Sequence, residues 1–372
     1  ISYLAACSFF QDFLMDKDGL KSTWKMHDIM HDFARFLMIN NGIVIEVNPE
    51  GNSTMDLPSR KARYLTACIP EGQCLPTSIY GAEKLRSLMI ISGENAIINE
   101  AVRIIFNRAK QLRLVDFGCH NIENPACGFN TRFASNLKPI GNRWSSPPCG
   151  VALLVFNPQA YYFYTRCGFS HLTHNASMDT IPKEIGNLIH LRHINLNESK
   201  IKGLPRSLCE LHNLRYLNLE NCESLENLPD EVGNLINLTH INCSGSKIKG
   251  LPTSLCKLHN LQYLNLDNCK ALENLPDEIG NLIELIHLET LHCYKLACYP
   301  KSARRLRNLR QLRGIVLRAD RNDPEEFTLG DMENLNQLCE LFVVLKGNAV
   351  DDRELKRAKF EKKIYLKEIK VE

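Results

Sequence analysis

Two histidines four residues apart, His27 and His31, are the first side chains in the chain whose spacing suits chemistry. On a helix, an i, i+4 pair stacks on one face, so His27 lies above His31 and Asp28 above Asp32. His27-Asp28-Ile29-Met30-His31 has the spacing of the zinc-binding pattern H-E-x-x-H. Asp stands in place of Glu, however, and is one methylene shorter, and no third ligand is evident. The plainer alternative is a partly buried histidine capped by a neighbouring group. No GxxxxGK[ST] phosphate loop occurs in the chain, so these residues alone are not expected to hydrolyse ATP. No Ser-His-Asp order, paired carboxylate pocket or metal-ligand set stands out in the later, repeated part of the sequence. An enzyme is not expected, and neither a catalytic residue nor a bound metal is assigned.

The fifteen cysteines are the next candidates. Six of them (Cys209, Cys222, Cys243, Cys256, Cys269 and Cys293) recur at positions that packing explains, and no secretory signal opens the chain. They read as reduced thiols of a cytoplasmic protein, with nuclear or membrane-peripheral sites as alternatives. Apolar residues make up 44% and charged residues 23% of the 372, as in a soluble globular chain. A net charge of +3 gives no case for nucleic acid or an anionic membrane. No apolar run approaches the roughly eighteen residues of a membrane span.

What positions the polar side chains is a repeat. LPRSLCELHNLRYLNLENCESLENLPDEVGNLINLTHIN from Leu204 recurs from Leu251 with an offset of 47, so that Leu217 falls on Leu264 and Cys222 on Cys269. Shorter units start at Ile181, Leu204, Leu228, Leu251 and Leu275, giving lengths of 23, 24, 23 and 24. Their LxxLxLxxCxxLxxLP skeleton is that of a leucine-rich repeat. Within a unit, Leu217 and Leu219 alternate with Tyr216 and Asn218, the pattern of a short strand with one buried face. Such a strand completes its core only by stacking on its neighbours. Cys222 and Cys269 sit where the chain turns inward, where a weak S–H donor suits unpaired backbone carbonyls. The Pro-led segment opening each unit, such as LPRSLCELHNL, suits a short helix or 3₁₀ turn on the convex side.

The outward positions of successive strands then line one concave face. They are Arg192, His193, Asn195; Arg215, Tyr216, Asn218, Glu220; Thr239, His240, Asn242; and Gln262, Tyr263, Asn265, Asp267. Tyr and Arg on a rigid sheet make a protein-binding surface, whereas any solvated strand face also needs polar residues. The arginine cluster at 304, 305, 307, 310 and 313 reads as a solvated convex face rather than a phosphate site.

KMHDIMHDFARFL, preceded by SFFQD and a DG turn, resembles the end of the winged-helix domain of plant NLR immune receptors, the nucleotide-binding leucine-rich-repeat disease-resistance proteins, of the coiled-coil class. Met26-His27-Asp28 matches that family's MHD motif. The resemblance implies that His27 approaches the β-phosphate of bound ADP and holds the receptor off, with Asp28 supporting the local geometry. It implies ADP or ATP in a full-length protein, though no cofactor in this stretch. It implies as partners a pathogen effector or guarded host protein, together with intramolecular contact to a nucleotide-binding domain. The alternative is a plain scaffold or truncated decoy without a nucleotide switch.

The expected organisation is α/β: a small helical winged-helix remnant at 1–45, a linker at 46–59, and a solenoid with its parallel sheet on the concave face. A helix is expected to end near Gln11, with a turn at DKDG and a second helix over Met26–Leu37. Irregular first repeats occupy 60–118, with strands in KARYLTACIP, LRSLMII and LRLVDF and a short helix within 94–109. Residues 180–372 form the solenoid proper. After Cys298 come a strand around Leu312, a helix near 331–338, a strand at 340–345, and a charged helix leading to a last strand. Residues 119–179 lack the repeat spacing, while their flanks fit each other. About fifty-five of them read as inserted sequence, disordered or of intron origin, with a functional island domain as the alternative. The start at Ile1 and an end without a capping repeat read as a fragment.

Overall fold

The computed structural model describes residues 10–15, 22–26, 42–47, 62–69, 72–92, 98–117, 179–318, 324–346 and 352–371. Its centre is one sheet of twelve strands, each parallel to its neighbour, stacked in strict chain order from β3 (Gly42–Glu46) to β14 (Glu368–Val371). Between them lie β4 (Tyr64–Ile69), β5 (Ser87–Ser92), β6 (Leu114–Asp116), β7 (His193–Asn195) and β8 (Tyr216–Asn218). Then follow β9 (His240–Asn242), β10 (Tyr263–Asn265), β11 (His287–Glu289), β12 (Gln311–Arg318) and β13 (Glu340–Lys346). This is the expected α/β leucine-rich-repeat solenoid.

Each strand places its middle leucine or isoleucine inward. Ile194, Leu217, Ile241, Leu264 and Leu288 are all fully buried and align by register. Each such burial contributes about 1.5–3 kcal/mol, which a three-residue strand gains only because its neighbours cover it. The segments opposite the sheet are 3₁₀ helices such as Arg206–Glu210, Asp230–Asn234 and Thr253–Lys257, each introduced by a proline at φ near −60 to −70°. Gly233 is required there, since a Cβ would lie 2.2 Å from the Ser254 carbonyl oxygen of the next unit.

The cysteines behave as the spacing predicts. Cys222 donates its S–H to the Leu196 carbonyl at 3.2 Å, Cys269 to Cys243 at 3.1 Å and Cys293 to Leu266 at 3.0 Å. Burial pushes the Cys222 thiol up to about 11 and the Cys293 thiol to about 12. After each strand the chain turns through one residue of positive φ: Glu198, Asn221, Gly245, Asn268 and His292. In that conformation the Asn221 N–H reaches the Ser244 carbonyl at 2.6 Å, and Asn268 reaches Leu291 at 2.7 Å, which ties one unit to the next.

The flanks of the 119–179 stretch are neighbours, as their sequences fit: β6 pairs directly with β7, with Leu114 opposite His193 and Asp116 opposite Asn195. Residues 118–178 themselves lie outside the described residues. The helix within 94–109 is α1 (Asn99–Arg108), which buries Val102, Ile105 and Phe106. The closing helix and strand are α2 (Asp352–Ala358) and β14.

Three expectations need correction. Phe10 and Gln11 are not the end of a helix but open β1 (Phe10–Met15), which pairs antiparallel with β2 (Ser22–Met26) in a separate two-stranded sheet. The aromatic and β-branched residues around the DKDG turn favour a hairpin. Residues 42–46 span the expected boundary between the winged-helix remnant and the linker, but they belong to the solenoid sheet. They form β3, in parallel register with Tyr64–Cys68, because Ile43, Val44 and Ile45 suit a strand and Ile45 finds a place in the core. The element expected as a helix near 331–338 is a 3₁₀ turn, Leu329–Asn334, opened by a Thr328–Asp331 capping box.

Candidate functional site

The polar face of the sheet is built by column, since parallel in-register strands bring every equivalent residue beside its copy. The central column is aromatic: His193, Tyr216, His240, Tyr263 and His287. Their ring centroids lie 6.0, 6.0, 5.8 and 5.7 Å apart, with His240 and Tyr263 stacked. Contacts of this kind contribute about 0.5–1.5 kcal/mol each beyond burial and hold the rings in fixed orientation. Desolvation lowers the pKa of His193, His240 and His287, with repulsion from Arg192 and Arg215 added at His193. Burial therefore favours the neutral form of these three imidazoles.

Beside it runs an amide column. Asn218 Nδ2 donates to Asn195 Oδ1 at 2.9 Å, and Asn195 Nδ2 donates to Asp116 Oδ1 at 3.0 Å. Each asparagine oxygen also accepts the backbone N–H two residues on, as in Asn218 to Glu220, Asn242 to Ser244 and Asn265 to Asp267. These contacts explain one correction: Asn218, expected on the exposed face, is buried at 6% exposure, its amide occupied within the sheet.

On the carboxyl side of the strands the face is acidic. Burial pushes Glu220 up to about 7, with repulsion from Glu198 adding and a hydrogen bond from Asn242 opposing. Glu289 also rises to about 7 through burial and repulsion from Asp267, against the pull of Arg313 and the Tyr263 hydroxyl. Burial raises Asp267 too, although the Leu291 N–H donates to it at 2.7 Å. The Arg313 guanidinium lies 3.8 Å from Glu289. On the amino side the face is basic, with Arg192 and Arg215 exposed. There a shallow depression is lined by Arg215, Asn237, Thr239, Asn260, Gln262 and Glu284.

The structure thus brings Arg192, His193, Asn195, Arg215, Tyr216, Glu220, Thr239, His240, Asn242, Gln262, Tyr263, Asn265 and Asp267 onto one continuous face. Sequence reasoning missed His287, Glu289 and Asp116 and set Arg313 on the convex side; carrying the 24-residue spacing one unit further finds His287 and Glu289, whereas Asp116 lies 79 residues before Asn195, across the 119–179 stretch. The arginine cluster divides: Arg304 and Arg305 end a convex 3₁₀ turn, while Arg313 belongs to strand β12. Met26 is the last residue of β2, and His27, Asp28 and His31 lie outside the described residues. Among the described residues no cluster of His, Cys, Asp and Glu is arranged to hold a metal, and no helix is long and apolar enough to cross a membrane.

Residues 206–371 match a family model described as a leucine-rich repeat region, and residues 171–223 match one described as a leucine rich repeat. A probable disease resistance protein of Arabidopsis thaliana is 29% identical over 116 residues, 31% of this chain and 13% of that protein. A second probable disease resistance protein of the same plant is 45% identical over 49 residues, 13% of this chain and 6% of its own length. The matched stretch is thus a small part of these relatives. Among solved structures, an internalin of Listeria monocytogenes aligns with a TM-score of 0.42 and 15% identity, over 90% of this chain and 88% of that one. The Toll–Spätzle complex of Drosophila aligns with a TM-score of 0.48 and 16% identity, over 89% and 42%. The chain is a leucine-rich-repeat solenoid similar to plant disease-resistance proteins, which supports a protein-interaction or immune role.

Proposed function

We propose that the chain is the recognition part of a plant immune receptor of the NLR type, and that its concave face binds a pathogen effector or a guarded host protein. The observation that carries this reading is the five-ring column from His193 to His287, fixed in orientation and flanked by arginines on one side and carboxylates on the other. Prepositioned aromatic and arginine side chains lose little entropy on binding, as interface hot spots require. In this reading the solenoid also contacts a nucleotide-binding domain in the same protein. Met26, His27 and Asp28 then act as its MHD motif toward ADP, with ATP in the active form, and partner binding shifts the population between the two states. The reading places the protein in the cytoplasm and assigns the solenoid no catalysis.

A random octapeptide library displayed on phage tests the binding part. At about 3.3 Å per residue an extended octapeptide spans more than the roughly 19 Å from β7 to β11. Selected peptides are expected to lose binding to Tyr216→Ala and to retain it with the convex-side substitution Glu231→Ala. Peptides insensitive to Tyr216→Ala would refute the reading.

A further inference from the structure

The concave face is electrically two-sided. Arg192 and Arg215 stand at the amino ends of their strands, and the ring column runs next to them. Glu220, Asp267 and Glu289 stand at or just beyond the carboxyl ends. Arg215 immediately precedes β8 and Glu220 lies two residues beyond it, so the two signs are five residues apart there, about 17 Å for an extended chain. Tyr263 marks the middle of the acidic side: its hydroxyl donates to Glu289 at 3.4 Å and accepts from Asn265 at 3.1 Å. Repulsion from Glu289, Asp267 and Glu220 all bears on that hydroxyl. Glu340 adds negative charge next to Glu289, against Arg313 and the nearby His292.

We propose that this face docks an extended protein segment crossing the strands obliquely, with an acidic side chain over Arg192 and Arg215 beside β7 and β8 and an arginine or lysine over Asp267 and Glu289 beside β10 and β11. The proposal rests on the protein-binding reading above and adds the chemistry of the partner. Charge complementarity argues for it. Carboxylates crowded together and partly stripped of water gain most from a cation that brings its own hydrogen-bond donors. The reverse orientation would set like charges against each other at both ends, so the face also fixes the direction of the bound segment.

The test uses octapeptides selected on the whole chain and already mapped to the concave face by Tyr216→Ala. They are expected to carry an acidic and a basic residue about six positions apart, since about 17 Å along the strands combines with about 12 Å across them. Binding should weaken about tenfold for Asp267→Asn/Glu289→Gln and also for Arg192→Ala/Arg215→Ala. In the first variant, replacing the peptide's basic residue by alanine should cause no further loss; the same should hold for its acidic residue in the second. Both double variants remove charge without removing core, and a circular dichroism spectrum like that of the parent shows that they fold. Concave-mapped peptides without charge bias, or unaffected by both double variants, overturn the proposal and leave the protein-binding reading standing. Peptides that ignore Tyr216→Ala, or no selected peptide at all, count against both.

Discussion

Replacing Glu220 by glutamine should stabilise the protein, and the gain should depend on pH in a stated direction. The carboxyl is raised from 4.5 to about 7 by burial and by Glu198, so the folded state holds its proton over a range where the unfolded chain has lost it. Folded-state stability is therefore undiminished by this group below about pH 4.5, falls as pH rises toward 7, and stays reduced above. A difference of about 2.5 units corresponds to about 3 kcal/mol at about pH 8, and to less than about 1 kcal/mol at about pH 5. Glutamine has the same shape and keeps an oxygen for the Asn242 amide, so Glu220→Gln removes the charge and little else. The assay is urea unfolding of both proteins at the two pH values, followed by circular dichroism. The variant should exceed the parent by about 3 kcal/mol at the higher pH and nearly match it at the lower. A difference independent of pH, or a parent more stable than the variant at about pH 8, would refute the electrostatic account of the face.

Other consequences are as specific. Leu217→Ala, at a fully buried position on β8, should cost about 3 kcal/mol in the same unfolding assay, whereas Ile236→Ala, at an exposed one, should change stability by less than about 0.5 kcal/mol. The native chain should leave Cys222, Cys243, Cys269 and Cys293 unmodified by a disulfide-forming reagent at neutral pH. Among the described cysteines, exposed Cys74 should react first, as peptide mass spectrometry would read. His292→Gly should raise the melting temperature, because His292 holds a φ of 60° that costs a non-glycine residue about 1 kcal/mol. In a full-length receptor, His27→Ala should give cell death in leaf tissue without a partner; dependence on the partner would remove His27 from the switch.

The solenoid was legible because its information is periodic. The leucines of LRYLNL and LQYLNL recur in register, so one unit predicts the next, and Cys222 declares its role by recurring at Cys269. The face was legible as a set of positions but not as columns. Spacing alone places Asn218 outward, while its burial follows from hydrogen bonds to a strand 23 residues away. The ring column was hidden for a related reason. His193, Tyr216, His240, Tyr263 and His287 alternate in type, and stacking requires the sheet to set their separation. Glu289 escaped notice and Arg313 reads as convex rather than as a strand residue because the units after Leu275 change their polar residues while keeping their leucines. β3 was missed because a three-residue apolar run, Ile43–Ile45, among Asn, Gly, Pro and Glu has no repeat partner close in sequence.

The central claim is that partners bind on the aromatic concave face, and photo-cross-linking tests it most directly. A selected octapeptide carrying a photoreactive group would be irradiated on the intact protein and its attachment site read by mass spectrometry. The account predicts attachment at Tyr216, His240 or Tyr263, in the ring column of the sheet. Attachment confined to the convex 3₁₀ segments, such as Asp230–Asn234 or Thr253–Lys257, would contradict it.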